Sequence, residues 1–149
     1  MKILNKIQQE LKAPKAQYNS FGKYNYRNCE DILEAVKPLL GEAILLLTDE
    51  VVNIGNHNYV KATARLVHKE ESAFTTAYAR EAVEQKGMND SQITGSTSSY
   101  ARKYALNGLF LIDDTKDADT TNTHGKEVKK INSPIDRNDA PDLTEDIYI

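Results

Sequence analysis

The sequence predicts an α+β fold: N-terminal helices, then a three-stranded antiparallel β-meander packed on a C-terminal helix, then a disordered acidic tail. Three observations predict it. Apolar residues recur at helical spacing near the N-terminus and again between residues 28 and 40. From Ala43 to Arg80 the pattern changes to β-branched runs and alternation, punctuated by two short turns. Beyond about Lys116 the apolar residues thin out while charge persists.

Residues 3–12 form the first predicted helix, with Ile3, Leu4, Ile7 and Leu11 on one stripe and Pro14 as its stop. Residues 12–27, KAPKAQYNSFGKYNYR, read as a loop because Pro14 and Gly22 interrupt any periodicity. A second helix starts at Asn28, a favourable N-cap, with Glu30 and Asp31 suited to the positive end of its dipole. Ile32, Leu33, Val36, Leu39 and Leu40 supply its buried stripe, and Pro38 kinks or ends it. Ala43–Ile54 reads as a strand, and Gly55-Asn56 as a turn. Asn58–His68 alternates, with Val60, Ala62, Ala64 and Leu66 on one face and Tyr59, Lys61, Thr63 and Arg65 on the other. Lys69-Glu70-Glu71 turns the chain into a third strand, Ser72–Arg80, where Phe74, Thr76, Tyr78 and Arg80 share a face. Gly87 breaks the pattern, a final helix lies within residues 91–110, and Leu109–Ile112 closes the core.

Length and composition fit one domain, residues 1–115, plus a tail, residues 116–149. No apolar run approaches the roughly 20 residues needed to span a bilayer, and the N-terminus lacks the apolar stretch of a secretory signal. The expected compartment is the cytoplasm. Cys29 has no second cysteine to pair with and reads as a plain thiol near a helix start. The net charge of −3 is unevenly placed. Residues 1–115 hold 14 cations and 14 anions, whereas residues 116–149 hold 5 and 8. The domain is therefore neutral, and a neutral domain attracts polyanions only where its cations cluster.

Three segments cluster them. The loop at 12–27 contains Lys12, Lys15, Lys23 and Arg27 and no acid, interleaved with Tyr18, Phe21, Tyr24 and Tyr26. Single-stranded nucleic acid suits such a segment, since its bases are free to stack and its phosphates need neutralising. The second segment is the strand face of Tyr59, Lys61, Arg65, Tyr78 and Arg80, diluted by nearby Glu81 and Glu84. The third is GSTSSYARKYALNG, residues 95–108. As a helix it places Tyr100, Ala101, Tyr104, Ala105 and Gly108 toward the sheet, with Ser99, Lys103 and Asn107 opposite and Arg102 flanking. Leu106 intrudes on that polar side and suggests a partner surface. Hydroxyls and cations on a helix hold a phosphate backbone without reading bases.

Enzymatic patterns are weaker. GSTSS lacks the GxxxxGK[ST] spacing of an ATP-binding loop. DDTKDAD lacks the glycine and distal glutamate of a calcium loop, and His57, His68 and His124 share no zinc-ligand spacing, so neither metal nor cofactor is expected. Glu84-Gln85-Lys86 matches the short E-x-K element of metal-dependent nucleases, a three-residue match that arises readily by chance.

The segments FGKYNYRNCEDILEAVKPLL, DEVVNIGNHNYVKATARLV and GMNDSQITGSTSSYARKYALNGLFLIDDTKDAD closely resemble the ERF family of phage single-strand annealing proteins. The resemblance runs over about residues 5–119 and is most specific from Gln92 to Asp119. It implies a β-β-β-α core, ATP-independent binding of single-stranded DNA, promotion of annealing in phage recombination inside the host bacterium, and a homo-oligomeric ring or filament. It points to Tyr100, Arg102, Lys103 and Tyr104 as DNA-binding positions; the basic aromatic loop with Lys23, Tyr24, Tyr26 and Arg27 is the second candidate, and Lys61 and Arg65 of the strand face complete the set. A passive strand-coating protein is the alternative, and a nuclease a weaker one. The chain is short for the family, so an additional C-terminal domain is expected to be missing.

The C-terminal DAPDLTEDIYI resembles the acidic, hydrophobic-ended tip of bacterial single-stranded DNA-binding protein. Asp142, Glu145 and Asp146, followed by Ile147, Tyr148 and Ile149, suit a basic-rimmed apolar pocket on a host repair or strand-binding protein, or a shield over this protein's own DNA groove; a plain solubilising tail is the alternative.

Overall fold

A computed structural model describes residues 1–112 of the chain. The order is α1 (Lys2–Glu10), β1 (Gln17–Asn19), β2 (Tyr24–Tyr26), α2 (Cys29–Val36), a 3-10 turn (Lys37–Leu39), β3 (Ile44–Ile54), β4 (His57–His68), β5 (Glu71–Arg80) and α3 (Asp90–Phe110). The α+β class, the meander and the packing helix are as the sequence predicts. The tail segments, including Asp142, Glu145, Asp146 and Ile147–Ile149, lie outside the described residues.

Each boundary has a local cause. Leu11 leaves α1 with extended backbone, two residues earlier than periodicity suggests: Pro14 has no N–H to offer the Glu10 carbonyl, and a helical course would press its ring against that carbonyl. Asn28 and Asp31 form a reciprocal capping box at α2, and Pro38 sits inside the 3-10 turn that ends it. Asn89 and Gln92 build a second capping box that starts α3. Gly55 turns β3 into β4 at φ 62°, a left-handed value that costs glycine little.

The three long strands run in the order β3-β4-β5, all antiparallel. Val60, Ala62, Ala64 and Leu66 of the central strand are buried, as their alternation predicts. They face α3, where Ala101, Ala105 and Leu109 are also buried. Small residues on both sides let helix and sheet approach closely. The Thr75 hydroxyl donates to the carbonyl of Ala105 at 2.6 Å, and a Cβ at Gly108 would meet the Thr75 side chain at 3.6 Å. Ile7, Ile32 and Val36 close the core with Leu106 and Phe110. Leu106 is fully buried, not a partner surface on the polar side, because α1 and α2 cover the flank of α3 that a sheet alone would leave open.

Among the described residues, no element packs on the other side of the sheet. Register brings Thr48, Thr63 and Thr76 into one row across it. Leu46, Arg65 and Phe74 form the next row on one side, and Glu50, Lys61 and Tyr78 the next on the other. Ile44, Leu46, Ile54, Phe74 and Tyr78 are exposed there.

Candidate nucleic-acid interface

Residues 12–27 are not an irregular loop throughout. Asn19 pairs with Tyr24 and Gln17 with Tyr26, so a short hairpin stands on this segment. Its strands have only three residues each and no buried alternation, which is why breaker residues dominate its pattern. The Asn19 side chain holds the tip, its Oδ1 accepting from the N–H groups of Phe21 (3.0 Å) and Gly22 (2.9 Å). Lys23 follows at φ 53°. Asp31 anchors the base: one carboxylate oxygen accepts from Gln17 Nε2 at 3.1 Å and the other closes the α2 capping box. The Tyr24 and Tyr26 rings meet edge-on, centroids 6.2 Å apart, and both are exposed. Phe21 at the tip is 98% exposed. Arg27, grouped by sequence with the surface cations, is only 7% exposed: it leads into α2 and its side chain belongs to the interior.

The outward side of α3 carries a second aromatic group. Tyr100 and Tyr104, expected to pack on the sheet, are 50% and 46% exposed. Ala101 and Ala105, one residue further round the helix, take the packed positions instead. The two rings lie 6.1 Å apart, and Lys103 Nζ sits 4.9 Å from one centroid and 5.4 Å from the other. A cation held over two π faces is presented with them as one unit.

Arg102 has another occupation. Its Nε donates to both oxygens of Asp49, at 3.1 and 2.9 Å, and its Nη2 lies 2.9 Å from Oδ2. The hydrogen bond to Asp49 raises the guanidinium further above its ordinary pKa. Ser98 donates to the same carboxylate at 2.6 Å. Sequence reasoning missed Asp49; the signal available is that it shares the face of Leu45 and Leu47 in the alternation of β3, the side that packs toward α3.

On the open sheet face Lys61 is likewise engaged, 2.5 Å from Glu50, whose carboxylate accepts its hydrogen bond and raises its pKa. Arg65 lies over the Phe74 ring at 5.1 Å and is exposed. The predicted positions thus fall on three surfaces: the hairpin with Lys23, Tyr24 and Tyr26; α3 with Tyr100, Lys103 and Tyr104; and the sheet with Lys61 and Arg65. Glu84 and Lys86 lie in the exposed irregular segment between β5 and α3, away from the strand setting that an E-x-K nuclease site requires. Among the described residues, no three His, Cys, Asp or Glu side chains gather as a metal site, and no helix is long and apolar enough to cross a membrane.

What these surfaces offer is stacking planes beside cations. Comparison with known proteins gives the lineage. The essential recombination function protein of Salmonella phage P22 is 62% identical over 117 residues, which are 78% of this chain and 57% of that protein. The chain therefore spans little more than half the length of this relative. No solved structure matches. The family model described as ERF superfamily matches residues 1–144, and the chain belongs to that superfamily.

Proposed function

We propose that this chain is a phage recombination protein that binds single-stranded DNA and promotes ATP-independent annealing of complementary strands, without acting as an enzyme. The observation that carries this reading is the Tyr100–Lys103–Tyr104 unit, two exposed rings sharing one cation on the outward side of a rigid helix. Stacking accepts any base, and an ammonium beside the rings neutralises phosphate, so the unit is suited to sequence-independent contact. A relative that carries recombination in its name supports the process, and ERF membership supports the class of reaction.

In this reading residues 1–115 form the annealing domain and 116–149 an acidic tail that recruits host strand-binding or repair proteins in the bacterial cytoplasm. Copies of the chain assemble into a ring or filament. Assembly matters energetically because one neutral domain makes few contacts, whereas linked domains multiply them. Neutralised strands repel each other less, and bases held outward are free to test pairing.

The test mixes complementary fluorophore- and quencher-labelled oligonucleotides with the protein in EDTA, without ATP. Quenching accelerates with the native chain and falls toward the protein-free rate in Tyr100→Ala/Lys103→Ala/Tyr104→Ala, three residues outside the buried core. Arg102→Ala is a poor probe, since it removes the tie to Asp49 as well. Binding without acceleration favours passive coating, and absence of binding overturns the proposal.

A further inference from the structure

The hairpin tip presents a large apolar side chain almost wholly to solvent, and the surrounding structure holds it there. Phe21 is 98% exposed. Asn19 clamps the backbone of Phe21 and Gly22, and the Asn19 amide also donates to the Tyr24 hydroxyl at 3.2 Å. Gly22 lies so close beneath the Tyr24 ring that a Cβ there would fall 2.3 Å from Cε1. Asp31 fixes the hairpin base to the start of α2. The tip is therefore pre-organised, and a pre-organised side chain loses less freedom when a ligand engages it.

The charge around the tip indicates the ligand. From Leu11 to Tyr26 every ionisable side chain other than tyrosine is a lysine, with Lys23 adjoining the tip. A pocket on another protein asks only for the ring, whereas a polyanion with stackable bases asks for ring and cations together. We propose that Phe21 is a wedge: its ring enters between neighbouring bases of a bound single strand and splays them, while Lys23 meets the adjoining phosphate. Apolar side chains inserted between base steps unstack nucleic acid in this way. The proposal rests on the single-strand-binding reading above and adds a residue and a geometry to it.

The chain contains no tryptophan, so Phe21→Trp installs a single reporter at the tip. Val83→Trp places the same reporter at an exposed position outside all three surfaces. Each variant is titrated with an oligothymidylate, and binding is followed independently by anisotropy of the labelled strand. The wedge predicts strong quenching of the tip tryptophan on binding and little change at position 83. It also predicts that Phe21→Ala weakens binding by about fivefold to a hundredfold, the worth of one stacked ring. With an oligonucleotide carrying 2-aminopurine, it predicts a rise in base fluorescence that Phe21→Ala abolishes at saturation. Normal binding with an unquenched tip tryptophan, or with undiminished unstacking in Phe21→Ala, overturns the wedge and leaves strand binding standing. Loss of self-association in Phe21→Ala at unchanged strand affinity also overturns it, by assigning the ring to a contact between copies. No binding by the native chain overturns both proposals.

Discussion

Arg102 of α3 holds Asp49 of β3 through both carboxylate oxygens, and Ser98, one turn earlier on the same helix, donates to the same group. The pair joins the helix to an edge strand across a stretch where packing is thin. Arg102→Ala is expected to lower stability by about 1 kcal/mol, the upper range for a partly exposed pair with good geometry. Arg102→Lys rescues little, because an ammonium cannot reproduce the guanidinium fork. Urea denaturation of the three proteins checks this.

Gly95 lies in the first half of α3, and a Cβ there meets nothing within 4 Å. Its backbone freedom is lost on folding without a compensating contact. Gly95→Ala is expected to stabilise the protein by about 0.5–1 kcal/mol, read as a higher denaturation midpoint at unchanged slope.

Gly22→Ala is expected to act on the tip and not on the core. Its Cβ would lie 2.3 and 2.7 Å from two carbons of the Tyr24 ring, so the ring must swing away. Because that ring is exposed, global stability should change by less than about 0.5 kcal/mol. Single-strand affinity should fall several-fold, as the Tyr24–Tyr26 arrangement and the aim of Phe21 are lost together. Paired melting and anisotropy measurements separate the two effects.

Burial pushes the Cys29 thiol above its ordinary pKa, with Glu30 and Asp49 adding to the rise and Arg102 opposing it. The folded state therefore keeps its proton at pH values where the unfolded chain gives it up. This contribution to stability is complete below the unfolded thiol's pKa and is lost as pH rises through the folded value. Stability should decline above about pH 8.5. Cys29→Ser, compared with the native chain by denaturation across alkaline pH, should show a shallower decline.

Much of the fold was legible because its signals are local. The alternation of Val60, Ala62, Ala64 and Leu66 gave the inner face of β4, and Asn28 marked the start of α2. The site was less legible because it depends on rotation and on partners distant in sequence. On α3 a one-residue difference decides whether tyrosine or alanine meets the sheet, and the covering of Leu106 is set by α1 and α2. Likewise, nothing near Arg102 announces Asp49, which lies 53 residues away. The hairpin escaped because it is held by one asparagine clamp and one aspartate anchor instead of by apolar periodicity.

The Gln8 side chain donates to the carbonyl of Leu109 at 2.8 Å, closing the end of α3 against α1. These partners are 101 residues apart. On a ribosome adding about 5–20 residues per second, α1 precedes its binding site by about 5–20 s. The meander pairs from neighbours as it emerges, but Ile7 has no finished core to enter until α3 is made. Helix α1 is thus made well before its place in the core exists, and during that interval its apolar stripe is open to chaperones.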